Sequence, residues 1–480
     1  NGKEGSLLNS NDIRTKTIWE YLSEGQKKII SVGVPFTYPA RKVNGVMISL
    51  SMGCDIDVFP GELSEDIIKN TAYNKEFCKP VDTFGEVPRE EVLDEVIQRA
   101  DYLTEKIRDI SCYLLKKHEW NFFMAHFMST DTIQHYFWHF IDPKHPAYDE
   151  RLAYKYGNAI YEAYRKVDNA IQHILAQAGD ECNVIIASDH GFAPIYKFFY
   201  VNKWLQDKGL LHTRNDEKNL YKYKIAFPTV YKILKKLGLE SIGHILPGWL
   251  RSINIPAVKR CAEPFYEWID WKNTKAYASP FGINVNLKGR EPDGIVSKTE
   301  YDEVRQTIKN ELYKLRDSET GKDLIKEVLC REEIYSGPYI DEAADLFFTF
   351  KEPYYLQAGD VVKTTFFENL SKDNFATANH RYSPEGVLAM KGPVIKSEGH
   401  LDTVRIIDIA PTILYLLGLK IPESMDGRVV TELIDDEYVL SRPVEFIKEE
   451  WTVGDKKPGV CDSDSESEIK EHLRRLGYLG

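Results

Sequence analysis

The chain has 480 residues, a formal net charge of −12, and 43% hydrophobic and 28% charged residues. That is the balance of an ordinary globular protein, with room for two or three domains or for one elaborated α/β domain. An acidic chain is not expected to hold a nucleic-acid polymer, and no apolar run reaches the roughly 18 residues of a membrane span. The seven cysteines (Cys54, Cys78, Cys112, Cys182, Cys261, Cys330, Cys461) are scattered, odd in number and free of any C-x-x-C pair. This is the usage of a reducing compartment, so the expected location is cytoplasmic. The first residue is Asn1, with neither a methionine nor a charged-then-apolar leader, and an upstream segment is expected. Nothing in the sequence specifies an oligomeric state.

In chain order, the pattern predicts a helix over 15–22 (TKTIWEYL), a strand over 28–34 (KIISVGV) and a Pro-bearing loop, PFTYPARKVNG. Helix, strand and loop in that order form one unit of a doubly wound sheet. Residues 52–90 are rich in Asp, Pro and Gly and are read as irregular. From 90 to 117 the apolar positions Val92, Val96, Ala100, Leu103 and Ile107 recur at helical spacing, which predicts a long amphipathic helix. NFFMAHF at 121–127 reads as a buried strand, and a further helix over 156–178 leads into 183–194, NVIIASDHGFAP. There, four apolar residues in a row (Val184, Ile185, Ile186, Ala187) read as a buried parallel strand with Ser188, Asp189 and His190 at its carboxyl end.

After Pro194 the character changes. Residues 195–350 carry a Lys-rich amphipathic stretch at 221–249, read as a packed helix with a solvated side. Strand-like KAYASP and GINVNL, a helix over 299–315 and a strand, ADLFFTF, follow. This is the pattern of an α+β cap inserted into a core made of 1–194 and 351–480. The core resumes with a strand over 386–391 and a helix over 407–417, and it ends with an acidic DSDSESE run and a last helix.

Open α/β sheets hold their ligands just outside the carboxyl ends of strands, and the chemistry-bearing residues cluster at such ends. Asp131 and His135 follow NFFMAHF at a four-residue spacing, which puts them on one face of a first helical turn. Asp189 and His190 end the next core strand. There they read either as metal ligands or as a helix cap beside a satisfied loop histidine. His380 opens the loop NHRYSPEG before another strand and offers a fifth ligand. Three imidazoles and two carboxylates without a thiolate suit Zn²⁺ first and Mn²⁺ next. Five ligands exceed one tetrahedral zinc and fall short of two complete sites, so the set reads as most of a two-metal centre, the arrangement suited to in-line displacement at phosphorus. His139 reads as packed among aromatic residues and His145 as structural. Arg381, Lys288 and Arg290 are minor candidates for contact with substrate.

Stretches spanning most of the chain carry a family resemblance: TIWEYLSEGQKKIISVGVPFTYPARKVNGVMIS, STDTIQHYFWHF, NVIIASDHGF, DWKNTKAYA, GINVNLKGREPDGIV, NHRYSPEGVLAMKGP and DIAPTILYLLGL. They resemble the alkaline phosphatase superfamily in its type I phosphodiesterase/nucleotide pyrophosphatase branch, near the bacterial and archaeal phosphohydrolase and phosphomutase group. The resemblance implies a doubly wound sheet with helices on both faces and an inserted cap. It implies one metal on Asp131, His135 and His380, and a second metal to which Asp189 and His190 contribute. The substrate would be a small phosphodiester or phosphomonoester, hydrolysed through a phosphoenzyme. It also implies a first strand bearing another metal-binding Asp and a Ser or Thr nucleophile, both expected upstream of Asn1. Asp55 and Asp57 are not read as substitutes. The chain as it stands is therefore expected to be impaired as a hydrolase. The alternatives are a phosphomutase on the same fold or an inactive metal-binding fragment.

Overall fold

In a computed structural model, strand β1 (Ile29–Val32) runs parallel to β2 (Gly45–Leu50), pairing Ile29 with Gly45 and Val32 with Ile48. The structure describes residues 9–51, 55–77, 81, 89–214, 269–279, 282–317, 319–352, 355–358, 365–372, 376–380, 383–397, 401 and 403–448. The expected Lys-rich helix at 221–249, the acidic run, the last helix and Arg381 lie outside them.

Helix α1 (Ile18–Glu24) leads into β1. Its start is written in the sequence, because the Glu20 carboxylate accepts the Thr17 backbone N–H at 2.7 Å, half of a capping box. Gly45 sits at φ +146, and a Cβ there would stand 2.1 Å from the Ile29 carbonyl oxygen. Only glycine lets β2 approach β1 this closely. The predicted irregular stretch 52–90 needs correction. It contains β3 (Ile56–Phe59), antiparallel to β2, and helix α2 (Ser64–Thr71). Strand β2 is likewise absent from the sequence reading, which ended the region in a loop. The alternation in Ile56-Asp57-Val58-Phe59 is too short to register beside the surrounding Asp, Pro and Gly.

Helix α3 (Glu90–Lys117) matches its expected bounds. Glu90 and Glu91 lie in its first turn and Lys116 and Lys117 in its last, the charge order that the helix dipole favours. Its fully buried Ile110 and Leu114 each contribute roughly 1.5–3 kcal/mol by leaving water. β4 (Phe122–Ala125) joins β1 in parallel on the other side, giving the order β3-β2-β1-β4. The pleat of β1 and β2 divides the packing. Ile30, Val32, Val46 and Ile48 meet Ile67, Ile107, Ile110 and Leu114, whereas Ile29 and Met47 meet Trp19 and Leu22 with Leu414 and Tyr415. Helices therefore cover both faces.

Helix α4 (Ser129–Phe137) follows β4, the expected helix over 156–178 is α6 (Ala159–Ala178), and a further helix that the sequence does not signal, α5 (Glu150–Tyr156), precedes it across Gly157. β5 (Val184–Ala187) departs from expectation. The sequence predicts a buried, parallel strand here. It pairs antiparallel with β15 (Leu388–Lys391), and its Ile186 is 40% exposed. β4 is likewise only partly covered, with Met124 36% exposed. A continuous apolar run identifies a strand but does not reveal which edge pairs or how well its faces are covered. β6 (Ala193–Pro194) closes this part of the chain.

Two compact units divide the molecule, one covering Ile195–Asn369 and the other running to Pro194 and resuming at Leu370. The first contains β7 (Lys197–Tyr200), helix α7 (Val201–Asp207), β8 (Ala276–Ser279), β9 (Gly282–Val285), helix α8 (Tyr301–Tyr313), β10 (Ile325–Cys330) and β11 (Leu346–Phe350). β12 (Tyr355–Ala358) and β13 (Phe367–Asn369) flank β7, which carries this unit past the expected boundary at 350. Strand pairing to β7 moves the limit, a long-range contact that composition does not reveal. β10, β11, β9 and β8 form an antiparallel sheet. In the other unit, β14 (Ala378–Asn379) pairs antiparallel with β6, and helix α9 (Ile409–Leu416) lies within the expected 407–417. No helix among the described residues is long and apolar enough to cross a membrane.

Candidate metal centre

Asp131 occupies the first turn of α4, directly beyond the carboxyl end of β4, and His135 follows one turn later on the same face. The start of α4 is tied to α3, where the Thr104 hydroxyl donates to the Ser129 Oγ at 2.7 Å in a buried setting. Beyond β5, the Ser188 backbone N–H donates to the Val387 carbonyl, and Ser188 Oγ accepts the Val387 N–H at 2.7 Å. Gly191 then turns so tightly that a Cβ would lie 2.3 Å from the Glu385 carbonyl oxygen. Its N–H donates to the Ser383 carbonyl, and the Ser383 N–H donates to the His380 carbonyl. The loop carrying His380 is thereby laced to the turn carrying Asp189 and His190.

These constraints bring five side chains together. Ligand atoms of Asp131, His190 and His380 all lie within 4.8 Å of one another. Asp131 Oδ1 stands 3.7 Å from His135 Nε2 and 3.8 Å from His190 Nε2, and Asp189 Oδ2 is 3.4 Å from His190 Nε2. Ligand atoms bound at about 2.0–2.2 Å in a tetrahedron are roughly 3.3–3.6 Å apart, so these spacings suit a shared ion after a small contraction. His190, which the resemblance assigns to the second metal, thus lies close to Asp131 and His380 as well as to Asp189. The His190 and His380 rings stack at 3.9 Å, and Phe192 meets the His135 ring edge-on at 4.8 Å.

His135 is set up as a neutral ligand. His135 is fully buried, and its Nδ1–H donates to the Ala378 carbonyl at 2.8 Å, which turns Nε2 toward Asp131. Burial is the main cause that pushes its pKa from 6.5 down to about 4. Asp189 is the exposed member, with 70% of its side chain open. The donor chemistry and spacing therefore fit a divalent cation.

The remaining candidates lie elsewhere or are already committed. His139 is buried, with its pKa pushed down to about 3, chiefly by burial. It and the buried His145 bind Thr377. Asp57 accepts the Ala40 N–H and Asp55 pairs with Lys75, so neither faces the cluster as a ligand. Arg290 binds Asp345 through two bonds of 2.7 and 2.6 Å and the Val285 carbonyl at 2.7 Å, which makes it a structural group. The sequence reading missed His126. This imidazole at the end of β4 lies in the field of Asp189 and Asp131, with its pKa lowered mainly by burial. A polar residue ending an apolar strand was the available signal.

Neutral buried histidines make stability depend on pH. In the unfolded chain these imidazoles take up protons near 6.5, whereas folded His135 does so near 4 and His139 near 3. The unfolded state thus binds more protons between those values, and stability is lost as pH falls below about 6.5. Urea midpoints of the metal-free protein should drop between pH 7 and pH 5. A midpoint unchanged over that window would contradict the neutral assignment.

The sequence model of the type I phosphodiesterase/nucleotide pyrophosphatase family matches residues 4–380, a span that contains all five clustered residues. The chain belongs to that family, within the alkaline phosphatase superfamily. It is a phosphoric ester hydrolase of the phosphodiesterase type, a family that is generally dependent on divalent metals. Among solved structures it is similar to human ectonucleotide pyrophosphatase/phosphodiesterase 5, at 13% identity and a TM-score of 0.40, covering 88% of this chain and 75% of that one. No curated protein matches the sequence.

Proposed function

We propose that this chain carries the metal-binding face of a two-metal phosphodiesterase acting on small phosphate esters. The observation that carries the reading is the convergence of Asp131, His190 and His380, with His135 and Asp189 beside them. The donor set favours Zn²⁺, with Mn²⁺ next. When bound, such ions would polarise a phosphoryl oxygen and stabilise charge on the attacking and leaving oxygens. Asp131 would supply the shared anionic ligand. His135, His190 and His380 would supply neutral nitrogens, and Asp189 a carboxylate at the exposed margin. A Ser or Thr hydroxyl on a segment preceding Asn1 is proposed as the nucleophile, forming a phosphoenzyme that water then hydrolyses. The doubly wound form of the core and a cap role for the unit Ile195–Asn369, which would select among esters, belong to the same proposal. So does a cytoplasmic setting, in keeping with the unbridged Cys112, Cys182 and Cys330.

The test is a comparison of bis(p-nitrophenyl) phosphate with p-nitrophenyl phosphate. The chain, extended by its native upstream segment, is assayed with Zn²⁺, with Mn²⁺ and after chelation. Diester hydrolysis that disappears with chelator and returns with Zn²⁺ is the expected result. Hydrolysis that persists without metal would overturn the reading.

A further inference from the structure

Thr377 and Ala378 immediately precede His380, separated from it only by Asn379, and three histidines bind their polar atoms. The Thr377 N–H donates to the His135 carbonyl at 2.8 Å, and its hydroxyl reaches the same oxygen at 3.3 Å. With the hydroxyl proton so directed, Thr377 Oγ1 accepts from His139 Nδ1–H at 2.9 Å. His145 Nδ1 accepts the Ala147 N–H at 3.1 Å, so its proton is on Nε2, which donates to the Thr377 carbonyl at 3.0 Å. The Ala378 carbonyl accepts from His135 Nδ1–H at 2.8 Å. Thr377, Ala378 and all three histidines are buried, so none of these bonds competes with bulk water. On the far side, Ala378 and Asn379 pair with Pro194 and Ala193.

We propose that His139 and His145 are positioning residues. They clamp Thr377, and through it set His380 against Asp131 and His190. The inference rests on the metal-centre reading above. Groups that orient ligands typically alter metal affinity by about 10–100-fold when removed. The clamp also accounts for two histidines that stand four and ten residues beyond His135 yet contribute no ligand atom to the cluster. Burial alone asks for a satisfied polar group. It does not ask that two separate imidazoles meet the residue three before a ligand, one at its hydroxyl and the other at its carbonyl.

The experiment titrates the full chain with Co²⁺, read by its visible absorption, with circular dichroism as the check on folding. His139→Leu and His145→Leu should each weaken Co²⁺ binding by about 10–100-fold. His139→Asn returns a donor to the Nδ1 position and His145→Gln returns one to the Nε2 position, so each should recover most of the loss. Thr377→Val, which keeps the branched shape without the hydroxyl, should weaken binding by about tenfold, and Thr377→Ser should restore it. This pair serves if a leucine variant fails to fold. Unchanged Co²⁺ affinity in Thr377→Val and His139→Leu would overturn the proposal, as would an Asn variant as weak as the Leu variant. If the unsubstituted chain bound no Co²⁺, the metal-centre reading itself would fail. Hydrogen exchange of the peptide spanning 376–380 in the metal-free chain would then decide the clamp: faster exchange in His139→Leu supports it, and unchanged exchange overturns it.

Discussion

Asp131→Ala should empty the metal centre. Asp131 Oδ1 lies within 3.8 Å of both His135 and His190, and ligand atoms of Asp131, His190 and His380 lie within 4.8 Å of one another. Of the five clustered residues, removing it leaves three imidazoles and the exposed Asp189. Loss of a ligand should exceed the 10–100-fold cost of losing an orienting group, so affinity is expected to fall by a factor on the order of 10³. Elemental analysis after gel filtration measures this directly, with His380→Ala as a second variant expected to behave alike. The fold should survive, because the buried face of α4 is made by Ile133, Tyr136 and Phe137, which the substitution leaves in place. Asp131→Asn keeps the shape and removes the charge, and should retain metal better than alanine but worse than aspartate. Metal retained at full stoichiometry in Asp131→Ala would place the ions elsewhere.

Asp345→Ala should be the most destabilising single change in the unit Ile195–Asn369. Asp345 is completely buried between β11 and β9. Its carboxylate takes two bonds from Arg290, one from the Val285 backbone at 2.6 Å and one from the Tyr301 hydroxyl, with Arg331 at 3.5 Å. Removing one partner of a buried pair leaves the other charge without compensation, at a cost of about 3–5 kcal/mol. Two half-buried to buried guanidinium groups would be left facing an empty carboxylate position. The urea midpoint of the chain, with tryptophan fluorescence reporting Trp271 and Trp204 of that unit, is the measurement. A loss below about 1 kcal/mol would mean that water replaces the carboxylate freely. Asp345→Asn, which retains an acceptor for Val285 and Tyr301, should fall between the two.

How legible the molecule was varied with the range of the interaction. Helix α3 was placed to the residue, because a 28-residue apolar stripe between acidic and basic ends is a local signal repeated many times. The short strands β2 and β3 escaped. Four to six residues carry little periodicity, and pairing decides whether they become strands at all. The same limit explains β5. Its apolar run announces a strand, but its antiparallel partnership with Leu388–Lys391 joins residues about two hundred positions apart.

At the site, residue types, spacing and strand ends were all visible in the sequence. A carboxylate and an imidazole four apart on a helix, and an Asp-His pair at a strand end before glycine, are short-range patterns that geometry makes meaningful. Those local rules determined which five residues to look at and which class of ion their atoms suit. Only the tertiary structure decided how they group, with His190 beside Asp131 and His380, and His135 behind them in the core. It also decided that His139 and His145 turn away from the cluster to hold Thr377. Such choices depend on side-chain hydrogen bonds between residues more than 230 positions apart in the chain. A sequence pattern reports the neighbours a residue has along its own helix or strand. The partners it meets across the fold are fixed by packing, which no local period records.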